Sequence, residues 1–208
     1  MYRVIEEDEN NHYLVEEPDS LYITNGNYTY ADYYKWKIEE RLELIKGWIY
    51  KMSAPTAKHQ FVSMQLSVAF ANFLRNKPCR VFAAPFDVRL TKNKSTKDED
   101  VETVVQPDIV VICDLTKIDS RGCIGSPDLV VEILSPSNNK VEIKKKFDLY
   151  EENLIKEYWI VHPEEKTVIV YSLQNNKYIG SRLYGEDDFI VTEVLKGIEI
   201  KAEDLFDY

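Results

Sequence analysis

Hydrophobic positions along the chain follow two rhythms. Val62, Leu66, Ala69, Phe70, Phe73 and Leu74 recur at i, i+3, i+4 spacing and predict a helix over about 56–75, ended by Pro78. Ile143, Phe147, Tyr150 and Leu154 form a second stripe, predicting a helix over about 139–152 with Asn139 as N-cap and Glu142 at the third helical position. A shorter helical pattern covers 30–41. Elsewhere the runs are strand-sized: a pair over 42–52 folded about Lys46-Gly47, then 80–90, 105–113, 128–134, 157–162 and 167–173. Segments 178–183 and 189–194 read as a further antiparallel pair, and 200–206 as a short closing segment. Several of these strands are almost continuously apolar, notably 109–113, 129–131 and 159–161. Such strands are buried on both faces, so the pattern predicts an α/β fold: a central mixed β-sheet flanked by helices, with extra β-strands at both ends of the core. Residues 1–27, acidic and holding the turn signal Asn25-Gly26-Asn27, are expected to be an N-terminal extension to one domain over 28–208.

Composition narrows this reading. At 208 residues and 44% hydrophobic content the chain can bury a sizeable core. No apolar run approaches the ~20 residues that span a bilayer, and the acidic N-terminus does not read as a secretory signal. A protein away from membranes, in the cytoplasm, is the expectation. Cys79, Cys113 and Cys123 are odd in number and lack paired spacing, which argues for buried or incidental thiols in a reducing compartment, and against disulfides or a structural zinc site. The net charge of −10 disfavours non-specific nucleic-acid binding, so any such function needs a local basic patch. Lys140, Lys144, Lys145 and Lys146 supply one. Lys92, Lys94 and Lys97 share their loop with Asp98, Glu99 and Asp100, and read as a solvated tip.

Candidate chemistry lies where carboxylates interrupt buried strands. Asp108 follows Pro107 at the head of an apolar run, and Glu132 sits inside another. A charge in such surroundings is costly unless it is paired or binds a metal. Carboxylates on two neighbouring strands can meet at one hard cation such as Mg²⁺. Asp128 is four residues from Glu132 on the same strand, roughly 13 Å away, too far to share an ion. It reads better as a strand-start residue bonded to its loop. On the second helix Lys146 lies about 60° from the apolar stripe, Lys144 about 100° and Lys145 nearly opposite. Lys146 is thus the lysine best placed to reach inward, unless it simply snorkels.

The ordered segments Glu43-Leu44-Ile45-Lys46-Gly47, Met52-Ser53-Ala54-Pro55 with His59, Gln106-Pro107-Asp108-Ile109, 127–137, 146–150 and 157–161 resemble the Uma-two family of restriction endonucleases, long catalogued as a domain of unknown function, within the PD-(D/E)xK nuclease superfamily. The resemblance covers about residues 28–206. It implies a restriction-endonuclease-like fold and metal-dependent hydrolysis of DNA phosphodiesters, with a homodimer as the expected assembly. Asp108, Glu132 and the backbone carbonyl of Ile133 would hold Mg²⁺ or Mn²⁺. Lys146 would orient water or neutralise charge, Glu43 would add a carboxylate, and His59 would act as a ligand, phosphate contact or supporting donor. For Glu43 the alternative is an ion pair with Lys46 or another basic residue; for His59 it is a capping or core role. The superfamily lysine, two residues after the glutamate, is replaced by Leu134, and Lys146 is the matching position on the following helix. A catalytically weak or inactive module that keeps the fold to bind DNA or a protein is the competing reading. Ser135-Pro136-Ser137 reads as a loop rather than a nucleophile, and neither a P-loop nor a dinucleotide-binding glycine motif occurs.

Overall fold

The computed structural model describes residues 3–7, 13–16, 27–36, 40–91, 97–136 and 140–208, with the backbone alone at 3–7, 13–16 and 181. In chain order, β1 (Arg3–Glu7) and β2 (Tyr13–Glu16) precede a single helical turn, α1 (Tyr30–Tyr33). The hairpin of β3 (Leu42–Ile45) and β4 (Trp48–Lys51) leads to the long α2 (Ala57–Leu74). Then come β5 (Arg80–Ala83), β6 (Val88–Arg89), β7 (Val104–Val105) and β8 (Ile109–Ile112). A small hairpin, β9 (Ile118–Asp119) and β10 (Gly122–Ile124), precedes β11 (Leu129–Ile133) and α3 (Lys140–Glu152). The chain closes with β12 (Glu157–His162), β13 (Thr167–Gln174), β14 (Lys177–Tyr184), β15 (Phe189–Val191), β16 (Glu199–Lys201) and α4 (Glu203–Phe206).

Six strands form the central mixed sheet in the order β14-β13-β12-β11-β8-β5. β11 and β12 are parallel and joined by α3; the other neighbours are antiparallel. Side chains alternate across a strand, so odd and even positions serve different layers. Ile109, Val111, Leu129, Val131, Trp159 and Val161 pack with Val62, Leu66, Phe70 and Leu74 of α2. Val110, Ile112, Val130, Tyr158 and Ile160 pack with Leu149 and Tyr150 of α3. This two-sided burial is what the apolar runs predict. The even register also turns Glu132 toward α3, which decides where the site forms.

The second sheet runs β1-β2-β4-β3-β7-β6-β10-β9 and takes in the N-terminal strands through the pair Tyr13↔Ile49. It explains why two expected strands are each broken. Segment 80–90 splits into β5 and β6 on different sheets, with Pro85 between them; segment 105–113 splits into β7 and β8 around Pro107. Proline has no N–H to continue a ladder, so each break falls beside one. The first helix is also shorter than its sequence pattern. Its Thr29–Asp32 capping box is formed, but the turn ends at Tyr33; residues 37–39 lie outside the described residues, as do Asn25, Gly26, Lys92, Lys94, Ser137 and the expected N-cap Asn139.

The C-terminal pairing differs from expectation as well. β14 pairs with β13, and β15 pairs with β16. Asn175 and Asn176, both at positive φ, form the two-residue turn that folds β13 onto β14, a geometry asparagine tolerates better than most residues. Beyond that hairpin, Glu157 of β12 fixes the chain near residue 193. It is fully buried and accepts hydrogen bonds from Trp159 Nε1 (2.7 Å), Thr192 Oγ1 (2.8 Å) and the Glu193 and Val194 N–H groups (3.0 Å each). Burial nonetheless pushes its carboxyl up. Glu157→Gln puts an amide where donors converge, and is expected to cost about 1–3 kcal/mol in urea denaturation.

Two of the three cysteines are not incidental thiols. Cys79 and Cys113 form a disulfide across 34 residues of sequence. They flank the antiparallel pair Arg80↔Ile112, so the β5–β8 register sets them opposite each other, a proximity that sequence spacing does not reveal. The inference of a reducing compartment rested on unpaired thiols and loses that support. Cys123 stays free and buried, its thiol pushed up to about 11 chiefly by burial. Thiol counting on the unfolded, unreduced protein is expected to give one reactive group, and three after reduction; three before reduction would remove the bridge. Among the described residues no helix is long and apolar enough to cross a membrane.

Candidate active site

Five elements converge on one cavity of about 380 Å³, lined by Glu43, His59, Asp108, Glu132, Ile133 and Lys146 among others. Asp108 comes from the Gln106-Pro107 corner leading into β8. Its Oδ2 accepts the Ile133 N–H at 2.7 Å and lies 3.1 Å from His59 Nε2. Glu132, on β11, accepts at Oε1 from the Tyr150 hydroxyl and from Lys146 Nζ at 3.2 Å. Lys146 also reaches Glu43 Oε1 on β3 at 2.5 Å, and that oxygen takes the Gln106 N–H at 2.8 Å. Lys146 and Tyr150 are four residues apart, one helical turn, and so present side chains on the same face of α3.

The electrostatics are those of two carboxylates on one ammonium, with the Asp108 charge acting on Glu132. Burial pushes the Glu132 carboxyl up to about 7; Lys146 and the Tyr150 hydrogen bond oppose this, while Asp108 and Glu43 add to it. For Lys146 burial works against the charge, yet Glu132 and Glu43 outweigh it and hold the ammonium above the ordinary lysine range. The Tyr150 hydroxyl is raised well above its usual range by burial, then by Glu132 and Glu43, so it acts as a donor.

All the expected side chains therefore meet. Of the alternatives for Glu43 the ion pair is the one seen: it pairs with the distant Lys146 and also lines the cavity, while Lys46 pairs with Glu152 at 2.8 Å. The cap of α2 is Thr56, and His59 is a buried residue of that helix. Its N–H is capped by Thr56 Oγ1 at 3.2 Å at the start of α2, its ring supports Asp108, and its buried Nδ1 has no partner among the described residues. Leu134 joins the α3-side core and lines the cavity, so the ammonium enters from the helix instead. Asp128 stays apart, held by the Cys113 N–H at 2.7 Å and Lys156 at 2.6 Å. Within the lysine cluster, Lys144 pairs with Asp148, whereas Lys145 lines the cavity with its ammonium 3.8 Å from the Tyr50 ring centroid.

Three contributors carried no functional reading in the sequence. Tyr150 looked like one more member of an apolar stripe. Arg41 lines the cavity beside Glu43, and Gln106 lies behind both. Gln106 stood in a recognisable motif, but nothing in its type or spacing announces a residue that bonds through both backbone and side chain.

No three His, Cys, Asp or Glu side chains among the described residues are grouped closely enough to ligate one ion as they stand. Lys146 lies between Glu43 and Glu132, and His59 lies on Asp108. The donor set still suits a hard cation: the carboxylates of Glu43, Asp108 and Glu132 outnumber the single close ammonium, and all line one cavity.

The fold is that of a nuclease-like α/β protein. A solved structure described as a putative nuclease belonging to DUF820, from Anabaena variabilis, superposes with a TM-score of 0.68, covering 86% of this chain and 97% of its own at 20% identity. The chain belongs to the Uma2 (Uma-two) family, described as "putative restriction endonuclease", whose model matches residues 30–203. An uncharacterized protein of a Synechocystis strain is 28% identical over 143 residues, 67% of this chain and 71% of that protein.

Proposed function

We propose that this protein is a metal-dependent endonuclease that hydrolyses DNA phosphodiester bonds at the Asp108–Glu132–Lys146 cavity. The observation that carries the reading is the meeting of three carboxylates in one cavity, Glu43 and Glu132 on the Lys146 ammonium and Asp108 on His59 and the Ile133 N–H. Asp108, Glu132 and the Ile133 carbonyl would hold Mg²⁺ or Mn²⁺. When bound, such an ion lowers the pKa of a coordinated water and offsets charge on the phosphate.

The remaining work falls to the chain's own groups. Hydrolysis adds a water oxygen to phosphorus, breaks one bridging P–O bond, and sends a proton to the leaving oxygen. Lys146 holds positive charge beside the site, where it can offset negative charge building on the phosphate oxygens. His59 and the Ile133 N–H fix the Asp108 carboxylate, while Tyr150 fixes that of Glu132; positioning of this kind is what lets carboxylates act without reorganising.

The test is cleavage of plasmid and oligonucleotide DNA with Mg²⁺ or Mn²⁺. Mg²⁺ is expected to raise the melting temperature of the wild type, and Asp108→Asn to remove that rise and lower turnover about 100-fold or more. Turnover that survives both Asp108→Asn and Glu132→Gln would reject the assignment. The net charge of −10 and Leu134 favour a second reading, a non-catalytic binding module. DNA affinity with no cleavage in any divalent ion would decide for it. The expected homodimer is checked by sedimentation over a range of concentrations; a strictly monomeric chain excludes it.

A further inference from the structure

We propose that Arg41 is the phosphate-binding residue of this site: a guanidinium aimed into the cavity to hold a backbone phosphate of the nucleic-acid strand beside the carboxylates. The inference rests on the nuclease reading for its substrate class and on separate geometry for the residue.

Arg41 lies two residues before Glu43. Side chains on a strand alternate, so the two project to the same side roughly 7 Å apart. The Met52 N–H bonds the Arg41 carbonyl at 2.9 Å, which extends the β3–β4 ladder by one pair and fixes the Arg41 backbone. Both Arg41 and Glu43 line the cavity. Arg41 therefore forms part of the same wall as the residue whose carboxylate grips Lys146.

Its partner is the unusual feature. Arg41 donates from Nε (3.3 Å) and Nη2 (3.0 Å) to the side-chain carbonyl of Gln106, a neutral amide. Among the described residues no carboxylate lies within ion-pair distance of it, and none of them cancels its charge. The amide cannot turn to offer its nitrogen instead. Gln106 Nε2 already donates to Asp87 Oδ1 at 2.9 Å and to the Tyr33 hydroxyl at 3.2 Å. That hydroxyl in turn donates to the Leu42 carbonyl at 3.1 Å, and Asp87 Oδ2 accepts from Tyr30 at 3.2 Å. A relay of part-buried groups thus holds Gln106 Oε1 toward Arg41.

A salt bridge would cancel the guanidinium charge; this arrangement orients it and leaves the charge for a ligand. Guanidinium suits phosphate because its planar donors can take two phosphate oxygens at once. In a chain of net charge −10, one oriented cation inside the cavity counts for more than scattered surface lysines. Gln106 acts as its positioning residue, and because its N–H also bonds Glu43, the phosphate-binding and lysine-binding groups share one support.

The test uses the full chain carrying Asp108→Asn, without divalent metal, and a short single-stranded oligodeoxynucleotide followed by fluorescence anisotropy. Adding Arg41→Ala is expected to weaken binding about tenfold and to reduce the slope of log affinity against log salt by about one phosphate contact. Arg41→Lys is expected to restore the salt slope but only part of the affinity, since it keeps the charge and loses the fork. Melting temperature checks that each variant is folded. Unchanged affinity and slope in folded Arg41→Ala would overturn the proposal while leaving the nuclease reading intact. If the parent binds no oligonucleotide, the nuclease reading fails. Inorganic pyrophosphate titrated into wild type and Arg41→Ala then decides for the residue: equal affinity overturns it, and weaker binding by the variant upholds an anion site.

Discussion

Lys146→Met is expected to cost roughly 3–5 kcal/mol of stability at pH 8, the range for removing one partner of a buried ion pair. The ammonium sits between Glu43 and Glu132, whose side chains are only 6% and 15% exposed. Without it their charges remain where water solvates them only poorly. The sign of the pH dependence follows. The folded state holds Lys146 protonated more firmly than the unfolded chain does, so its contribution is complete throughout the neutral range and is lost only in strong alkali. In the variant the penalty comes from the orphaned carboxylates instead, so it shrinks as acid neutralises them. Urea denaturation at pH 5.5 and pH 8 reads this directly. A variant as stable as wild type at pH 8 would show that the ammonium does not hold the carboxylates together.

Glu132→Gln is expected to do the opposite to stability. Its carboxyl is raised to about 7 from an ordinary 4.5, so between those values the folded protein binds more protons than the unfolded chain. Stability must then fall as pH rises through that window, and stay lower above it. An amide at this position avoids the cost, can still accept from Tyr150, and leaves Lys146 paired with Glu43. The variant is expected to exceed wild type by about 2–3 kcal/mol above pH 7, with the difference closing below pH 4.5. Denaturation curves from pH 4.5 to 8.5 without divalent metal check it; a difference independent of pH would sink the explanation. The same change removes a proposed metal ligand, so the more stable protein should be the inactive one, as expected where a site stores unfavourable charge. Combined with Lys146→Met, it should recover much of the stability lost there, because one orphaned carboxylate has gone.

Much of this site was readable because burial and charge conflict visibly in sequence. Asp108 and Glu132 interrupt apolar runs, and the periodicity of α3 singled out Lys146. The same rule is not specific, since Glu157 also begins a buried strand and proves to be a structural acceptor with its own donors. Central strands such as β11 and β12 were legible because both faces are buried. The second sheet was not: β6, β7 and β10 are two or three residues long, too short for any period to show. The turn at Asn175-Asn176 was present in the sequence, yet longer apolar segments drew the pairing elsewhere. Gln106, Arg41 and the Cys79–Cys113 bridge depend on which segments become neighbours, and that information lies in the register of paired strands rather than in any local pattern.

The break at Pro107 carries one further consequence. On its N-terminal side the chain belongs to the sheet that bears Glu43; on its C-terminal side it belongs to the sheet that leads to Asp108 and pairs with β11. The cavity is therefore a joint between two scaffolds. For protein engineering this sets a boundary on modularity. The six-stranded sheet cannot be lifted out as a minimal nuclease, because it would leave behind Arg41 and Glu43, one of the two carboxylates that grip Lys146. Strands β15 and β16, which contribute nothing to the cavity lining, are the more promising place to graft a foreign sequence-reading element.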